Sequence, residues 1–113
     1  MSKGLSQLQR AILRMGAANR QLSDPKRLCD VSKAEVILKF YLGESQAPEW
    51  VHGYATRLQP HYGQLSPSEY RSAQVAVAKA FRRLEQRGLA ERVWRSGGTG
   101  INLTQEGLRE VLG

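Results

Sequence analysis

Few side chains in this chain have the types and spacing that bond-making chemistry needs. His52 and His61 stand on either side of Pro60, and Glu49 precedes His52 at a spacing that one helical turn would bring onto one face. A zinc site needs three or four such donors. The other soft ligand, the single Cys29, is remote in sequence, so no third ligand falls at a matching distance. Gly97-Gly98 does not follow a strand and open onto a helix as a phosphate loop must, and nothing selects a Ser/His/Asp triad. The expectation is a protein with no catalytic residues, no metal and no cofactor.

What the chain offers in quantity is arginine. Of 17 basic residues 12 are arginine, against 10 acidic ones, and the net charge is +7. The excess is uneven, with +5 over residues 1–40, −2 over 41–69 and +4 over 70–113. A planar guanidinium suits phosphate oxygens and guanine edges better than an ammonium does. Two cationic segments around a mildly acidic middle therefore point to a polyanion, nucleic acid first and an acidic membrane surface second. A basic face that serves solubility alone is the plainer alternative.

The densest cationic stretch lies on the best-marked helix. Ser66-Pro67-Ser68-Glu69 places a capping serine, a proline at the first helical position and a glutamate at the third. Ala73, Val77, Ala80, Phe81 and Leu84 then recur every three or four residues down to Gly88, giving a helix over 67–87, about 30 Å long. Its other face carries Arg71, Ser72, Gln74, Val75, Ala78, Lys79, Arg82 and Arg83. A DNA major groove about 12 Å wide admits one such helix. Arg71 could fork onto guanine, Gln74 could pair with adenine, and Val75 or Ala78 could sit against a thymine methyl, with Ser72 beside them. Lys79, Arg82 and Arg83 lie further along, where phosphates are within reach. Each has a structural alternative: Arg82, Arg83 and Arg87 could pair with Glu85 and Glu91 as a solvated face, and Val75 and Ala78 could pack against a partner or another helix.

Other elements must hold that helix in place. Leu5, Leu8, Ile12 and Met15 mark an amphipathic helix over 5–18 with a Ser6…Gln9 capping box. Ser32 and Glu35 predict a second box opening a helix over 33–42, stapled by Val31 on Val36 and stopped by Gly43. Residues 44–65, broken by Pro48, Gly53, Pro60 and Gly63, are expected to hold a short helix around Trp50, Val51, Tyr54 and Leu58. Trp50, Tyr54 and Tyr62 suit packing better than a ligand pocket. After Gly88 the period shortens to two over 89–94, Ser96 to Gly100 reads as a Gly-rich turn, and Ile101-Asn102-Leu103 returns as a strand. The hairpin brings Arg92 and Arg95 to backbone or minor groove, and places Trp94 as core plug or interface residue. Thr104 caps a last helix over 105–112.

Two helices, a long third helix, a basic hairpin and a final helix are the order of a winged helix-turn-helix. Within it, RRLEQRGLAERVW followed by INLTQEG resembles the third-helix end, wing and LTxxG segment of MarR-like winged-helix regulators, and GLSQLQRAIL resembles the first helix of small prokaryotic members. The likeness covers 67–107 well and 5–18 loosely. It departs between Gly43 and Ser66, where such domains use a tight turn. The resemblance implies a mainly α (α+β) fold of three to five helices with a C-terminal wing, in one domain over 1–113 with 44–65 inserted before the third helix. It implies a small transcriptional regulator that reads double-stranded DNA as a homodimer, with the first helix and 44–65 as interface. The alternative reading is a winged-helix module docking RNA or an acidic protein. One thiol, no apolar run near the ~18 residues of a membrane span, and no apolar leader between Lys3 and Arg10 predict a cytoplasmic protein that avoids membranes.

Overall fold

The structure is a computed structural model that describes residues 4–22, 29–41, 66–95 and 98–112. Helix α1 (Gln7–Leu22) starts at the expected box: Ser6 Oγ accepts from the Gln9 amide at 3.1 Å, and Ser6 N donates to Gln9 Oε1 at 3.0 Å. It runs four residues past its expected end, because Gly16 and Asn19 face inward with Ile12 and Leu13. Glycine at 16 reads as a fading helix, but a Cβ there would collide with the Leu103 side chain. It is a packing glycine.

Strand β1 (Val31–Ser32) follows, then α2 (Lys33–Val36), whose winding widens into a π-type turn over Ile37–Tyr41. This corrects the single α-helix expected over 33–42. Periodicity arguments assume an unbroken i→i+4 ladder, and a local shift to i→i+5 is invisible to them. Ser32 caps α2 by accepting from the Glu35 amide at 3.2 Å, while the Glu35 carboxylate is engaged inside the molecule.

Helix α3 (Pro67–Gln86) has both halves of its capping box, Glu69 N to Ser66 Oγ at 3.1 Å and Ser66 N to Glu69 Oε1 at 3.0 Å. It ends in a Schellman arrangement. Gly88, at φ +74°, donates to the Glu85 carbonyl, and Leu89 donates to the Leu84 carbonyl at 2.9 Å. No atom crowds a Cβ at Gly88, so the left-handed backbone alone calls for glycine there.

Strands β2 (Ala90–Arg95) and β3 (Gly98–Leu103) form the hairpin, and β1 adds to its far edge, giving an antiparallel sheet in the order β1-β3-β2. Two expectations are corrected. Val31 and Ser32, expected as staple and cap, are a strand that pairs with Ile101 and Gly100, and two residues are too few to show a period. Gly98 to Gly100 lie in β3, with Arg95 opposite Gly98. Gly100 is there for close approach: a Cβ would collide with Cys29 Sγ and stand 2.8 Å from the Val31 carbonyl oxygen.

Helix α4 (Gln105–Leu112) is seated by the LTxxG segment. Thr104 Oγ1 accepts from the Gly107 amide at 3.1 Å and donates to the Gly88 carbonyl at 2.6 Å, while Thr104 N donates to the Leu89 carbonyl. A Cβ on Gly107 would run into that same Leu89 carbonyl. The motif is thus a device that locks the last helix onto the end of α3.

The core fills the space between α1, α2, α3 and the sheet, with Ile12, Val31, Val36, Val77, Leu84 and Ile101 wholly removed from solvent. Threaded through it is a polar network. Asn19 Nδ2 donates to the Asp30 carbonyl at 2.9 Å and to Glu35 Oε2 at 3.0 Å. Glu35, with 0% exposure, also receives Lys39 Nζ at 3.3 Å. Arg20 Nη2 reaches Asp30 Oδ2 at 2.7 Å and the Leu103 carbonyl at 2.9 Å, and the Leu103 amide donates to Asp30 Oδ2 at 2.8 Å. These bonds tie α1, β1, α2 and the end of β3 together. The arrangement is α+β, and among the described residues no helix is long and apolar enough to cross a membrane. The short helix expected in 44–65, with Glu49, Trp50, His52, Tyr54, His61 and Tyr62, lies outside the described residues.

Candidate nucleic-acid interface

Helix α3 divides sharply into two faces. Tyr70, Ala73, Val77, Ala80, Phe81 and Leu84 are buried. At about 3.6 residues per turn the opposite side presents two parallel rows, Arg71–Val75–Ala78–Arg82 and Ser72–Lys79–Arg83. All of these are exposed except Ala78, which is half-buried. Val75 keeps 50% of its surface in water, an apolar side chain set among cations.

The four cations of these rows carry no partner. Among the described residues Arg71, Lys79, Arg82 and Arg83 make no ion pair and no side-chain hydrogen bond. The acids on α3 are used elsewhere. Glu69 is bound into the cap, where hydrogen bonds from the Ser66 backbone and side chain hold its carboxyl below the usual glutamate range. Glu85 takes Arg92 at 3.1 Å. Arg82 and Arg83 are therefore not neutralised by Glu85 as their sequence spacing allowed. The stripe is purely cationic over about 18 Å from Arg71 to Arg83.

The remaining expected contacts fall differently. Gln74 is half-buried at the edge of the stripe, where Nε2 donates to the Tyr70 hydroxyl at 3.3 Å. Its carboxamide is thereby held against α3. Arg92 projects from β2 onto α3 through its Glu85 bond and is only 27% exposed, so it braces the hairpin against the helix. Arg95 is the last residue of β2 and pairs with Gly98 at the tip of the hairpin. Structure thus brings Arg71, Ser72, Val75, Lys79, Arg82 and Arg83 onto one open face, sets Gln74 and Ala78 on its flank, and gives Arg92 a bracing contact.

Off this face, burial lowers the Lys33 ammonium and raises the Tyr41 hydroxyl from their ordinary values. A hollow of about 310 Å³ between α1 and α4 is lined by Leu5, Arg10, Leu13, Arg14, Glu110 and Val111. A second, of about 280 Å³, lies where the start of α1 meets the end of α3; Gln9 and Arg87, which line it, were not singled out by sequence because their spacing reads as cap and helix end. Cys29 is buried, and among the described residues no cluster of three or more His, Cys, Asp or Glu side chains could hold a metal. Compared with protein-family models, curated proteins and solved structures, the chain gives no match.

Proposed function

We propose that this chain is a double-stranded-DNA-binding protein of the winged-helix type, acting as a small transcriptional regulator and not as an enzyme. The observation that carries the reading is the face of α3, with four cations in two rows that have no partner among the described residues and an exposed valine between them. Unpaired cations on a rigid helix face, whose neighbouring carboxylate Glu85 is taken by Arg92, are what counterion release from a phosphate backbone requires. In this reading Arg71, Ser72 and Val75, in the first half of the helix, meet base edges, and Lys79, Arg82 and Arg83 grip phosphates. The bond between Arg92 and Glu85 fixes the hairpin beside the helix, so Arg95 is carried to the flanking backbone or minor groove. The order of helices, the hairpin after α3 and the short strand closing a three-stranded sheet all support the winged-helix assignment. A homodimer would match a palindromic site.

The test is fluorescence anisotropy with duplex DNA across a salt series. Neutralising about five phosphates gives a log–log slope near −4.5. Arg71→Ala should relax sequence preference, and Arg82→Ala should weaken all duplexes alike. A flat salt response removes DNA from the reading, and salt-dependent binding to single-stranded RNA or an acidic protein in its place moves the partner to that class.

A further inference from the structure

One side chain on the open face of α3 is not explained by folding. Val75 keeps 50% of its surface in water. It stands mid-helix, where a β-branched residue is a poor helix former and exposure removes any gain from burial. The other large apolar side chains exposed among the described residues lie elsewhere. Leu22 and Leu112 end their helices, and Phe40 stands in the widened turn after α2, edge-on to Tyr41. Around the helix Val75 lies about 40° from Arg71 on one side and about 40° from Lys79 on the other, so it occupies the crest of the face and not its margin. Half-buried Ala78, three residues on, extends the apolar spot. Gln74 does not share the crest. Its Nε2 is engaged by the Tyr70 hydroxyl at 3.3 Å, and a bidentate bond to adenine needs both polar atoms of a carboxamide.

We infer that Val75 is a specificity-determining residue of α3, and that it recognises the 5-methyl group of a pyrimidine in the major groove close to a guanine held by Arg71. The inference rests on the reading of α3 as a duplex-contacting helix. A pyrimidine methyl is the apolar mark on the major-groove edges of the bases, and an apolar side chain framed by cations that grip phosphates matches it. Arg71 precedes Val75 by one turn, a rise of about 6 Å, which spans about one to two base pairs at roughly 3.4 Å each. Thymine carries this methyl, and so does 5-methylcytosine. The two share the group that Val75 meets and differ beside it, where thymine has an oxygen acceptor and cytosine an amino donor. Binding therefore responds to methylation of a cytosine at this position as it responds to the methyl of thymine.

The experiment selects duplexes from a randomised pool with the full chain, then measures anisotropy on the selected duplex with changes confined to one group. Deoxyuridine in place of the thymine near the guanine removes only the methyl, and should weaken binding about fourfold, the effect of one buried methyl group. A second pair of duplexes carries cytosine or 5-methylcytosine, each opposite guanine, at that position. The methylated duplex should bind tighter by about the same factor. Val75→Ala, an exposed change that favours the helix and leaves the core alone, should erase both differences, whereas Gln74→Ala should keep them. A loss with uracil alone assigns the site to thymine; a gain on cytosine methylation as well assigns it to the methyl group on either pyrimidine. Wild-type binding that ignores the methyl at every selected thymine overturns the inference, and so do differences that survive Val75→Ala. A selection that returns no preferred sequence, or one with no thymine within about two base pairs of a guanine, overturns it too. Failure of the DNA reading has another signature: no duplex binds at all, and the inference falls with it.

Discussion

Two groups of charged side chains in this molecule are treated in opposite ways. In the network around Asp30 and Glu35, every charge is bound: Arg20 to Asp30, Lys39 to Glu35, with Asn19 bridging both acids' segments. On the outer face of α3 four cations stand with no partner among the described residues. The first group lies at the junction of α1, β1, α2 and β3, where an uncompensated charge would be expensive. The second sits in water, where pairing contributes little to stability. Stability alone therefore accounts for the inner group and gives no reason for the outer one, and that contrast is the physical ground for assigning the outer group to a partner.

The comparison can be broken from either side. Glu35→Ala should have the largest effect, about 3–5 kcal/mol of lost stability, because Lys39 and Asn19 lose a buried acceptor. Urea unfolding measures it, and a loss under about 1 kcal/mol would mean that the network is decoration. Reversing Arg82 and Arg83 together to glutamate should leave unfolding within about 0.5 kcal/mol per site. The same pair should lower duplex affinity about 100-fold at low salt, some 2.7 kcal/mol, and make the salt slope shallower by about two. Stability that falls with the stripe, or affinity that does not, would erase the distinction between the two regions.

How legible these regions were in the sequence follows the same division. The stripe was readable because α3 is an uninterrupted helix with clear caps; Ser66, Glu69 and Gly88 fix its ends, and a regular period then places Arg71 and Arg83 on the water side. The network was not readable. Glu35 reads as the far end of a capping box; Lys39 lies one turn further along the same helical stretch, but only the packing of α1 beside β1 brings Asn19 to it. β1 itself has two residues, too few to show a period. Gly100 reads as a turn residue because glycine signals chain reversal more often than close approach, and only its approach to Cys29 and Val31 reveals which applies. Gln74 and Arg92 were sorted by residue type, and their bonds to Tyr70 and Glu85 depend on rotamers that type does not determine.

The seat of α4 sharpens the contrast from a third side, since it uses neutral groups alone. Gly107→Ala pushes a methyl into the Leu89 carbonyl and should cost about 1–3 kcal/mol in thermal or urea unfolding. Gly88→Ala meets no neighbour and should cost only the strain of a left-handed residue, about 1 kcal/mol. If the two are equal, the close approach of α4 to the end of α3 is not what holds Gly107.

The smallest effects belong to the cap that starts the cationic helix. Ser66→Ala removes the acceptor of the Glu69 amide and should cost about 1 kcal/mol. Glu69 adds a pH dependence whose sign can be worked out. Hydrogen bonds from Ser66 hold its carboxyl below the ordinary range in the folded chain, so the folded state favours the ionised form more than the unfolded state does. Its contribution is complete above the unfolded-state value and disappears as pH falls through the lowered folded value. Unfolding of the wild type and of Glu69→Gln, compared at neutral and acid pH, should show a gap that closes in acid. A gap that stays constant would mean that the charge of Glu69 plays no part in the cap, leaving the start of α3 to the serine hydroxyl alone.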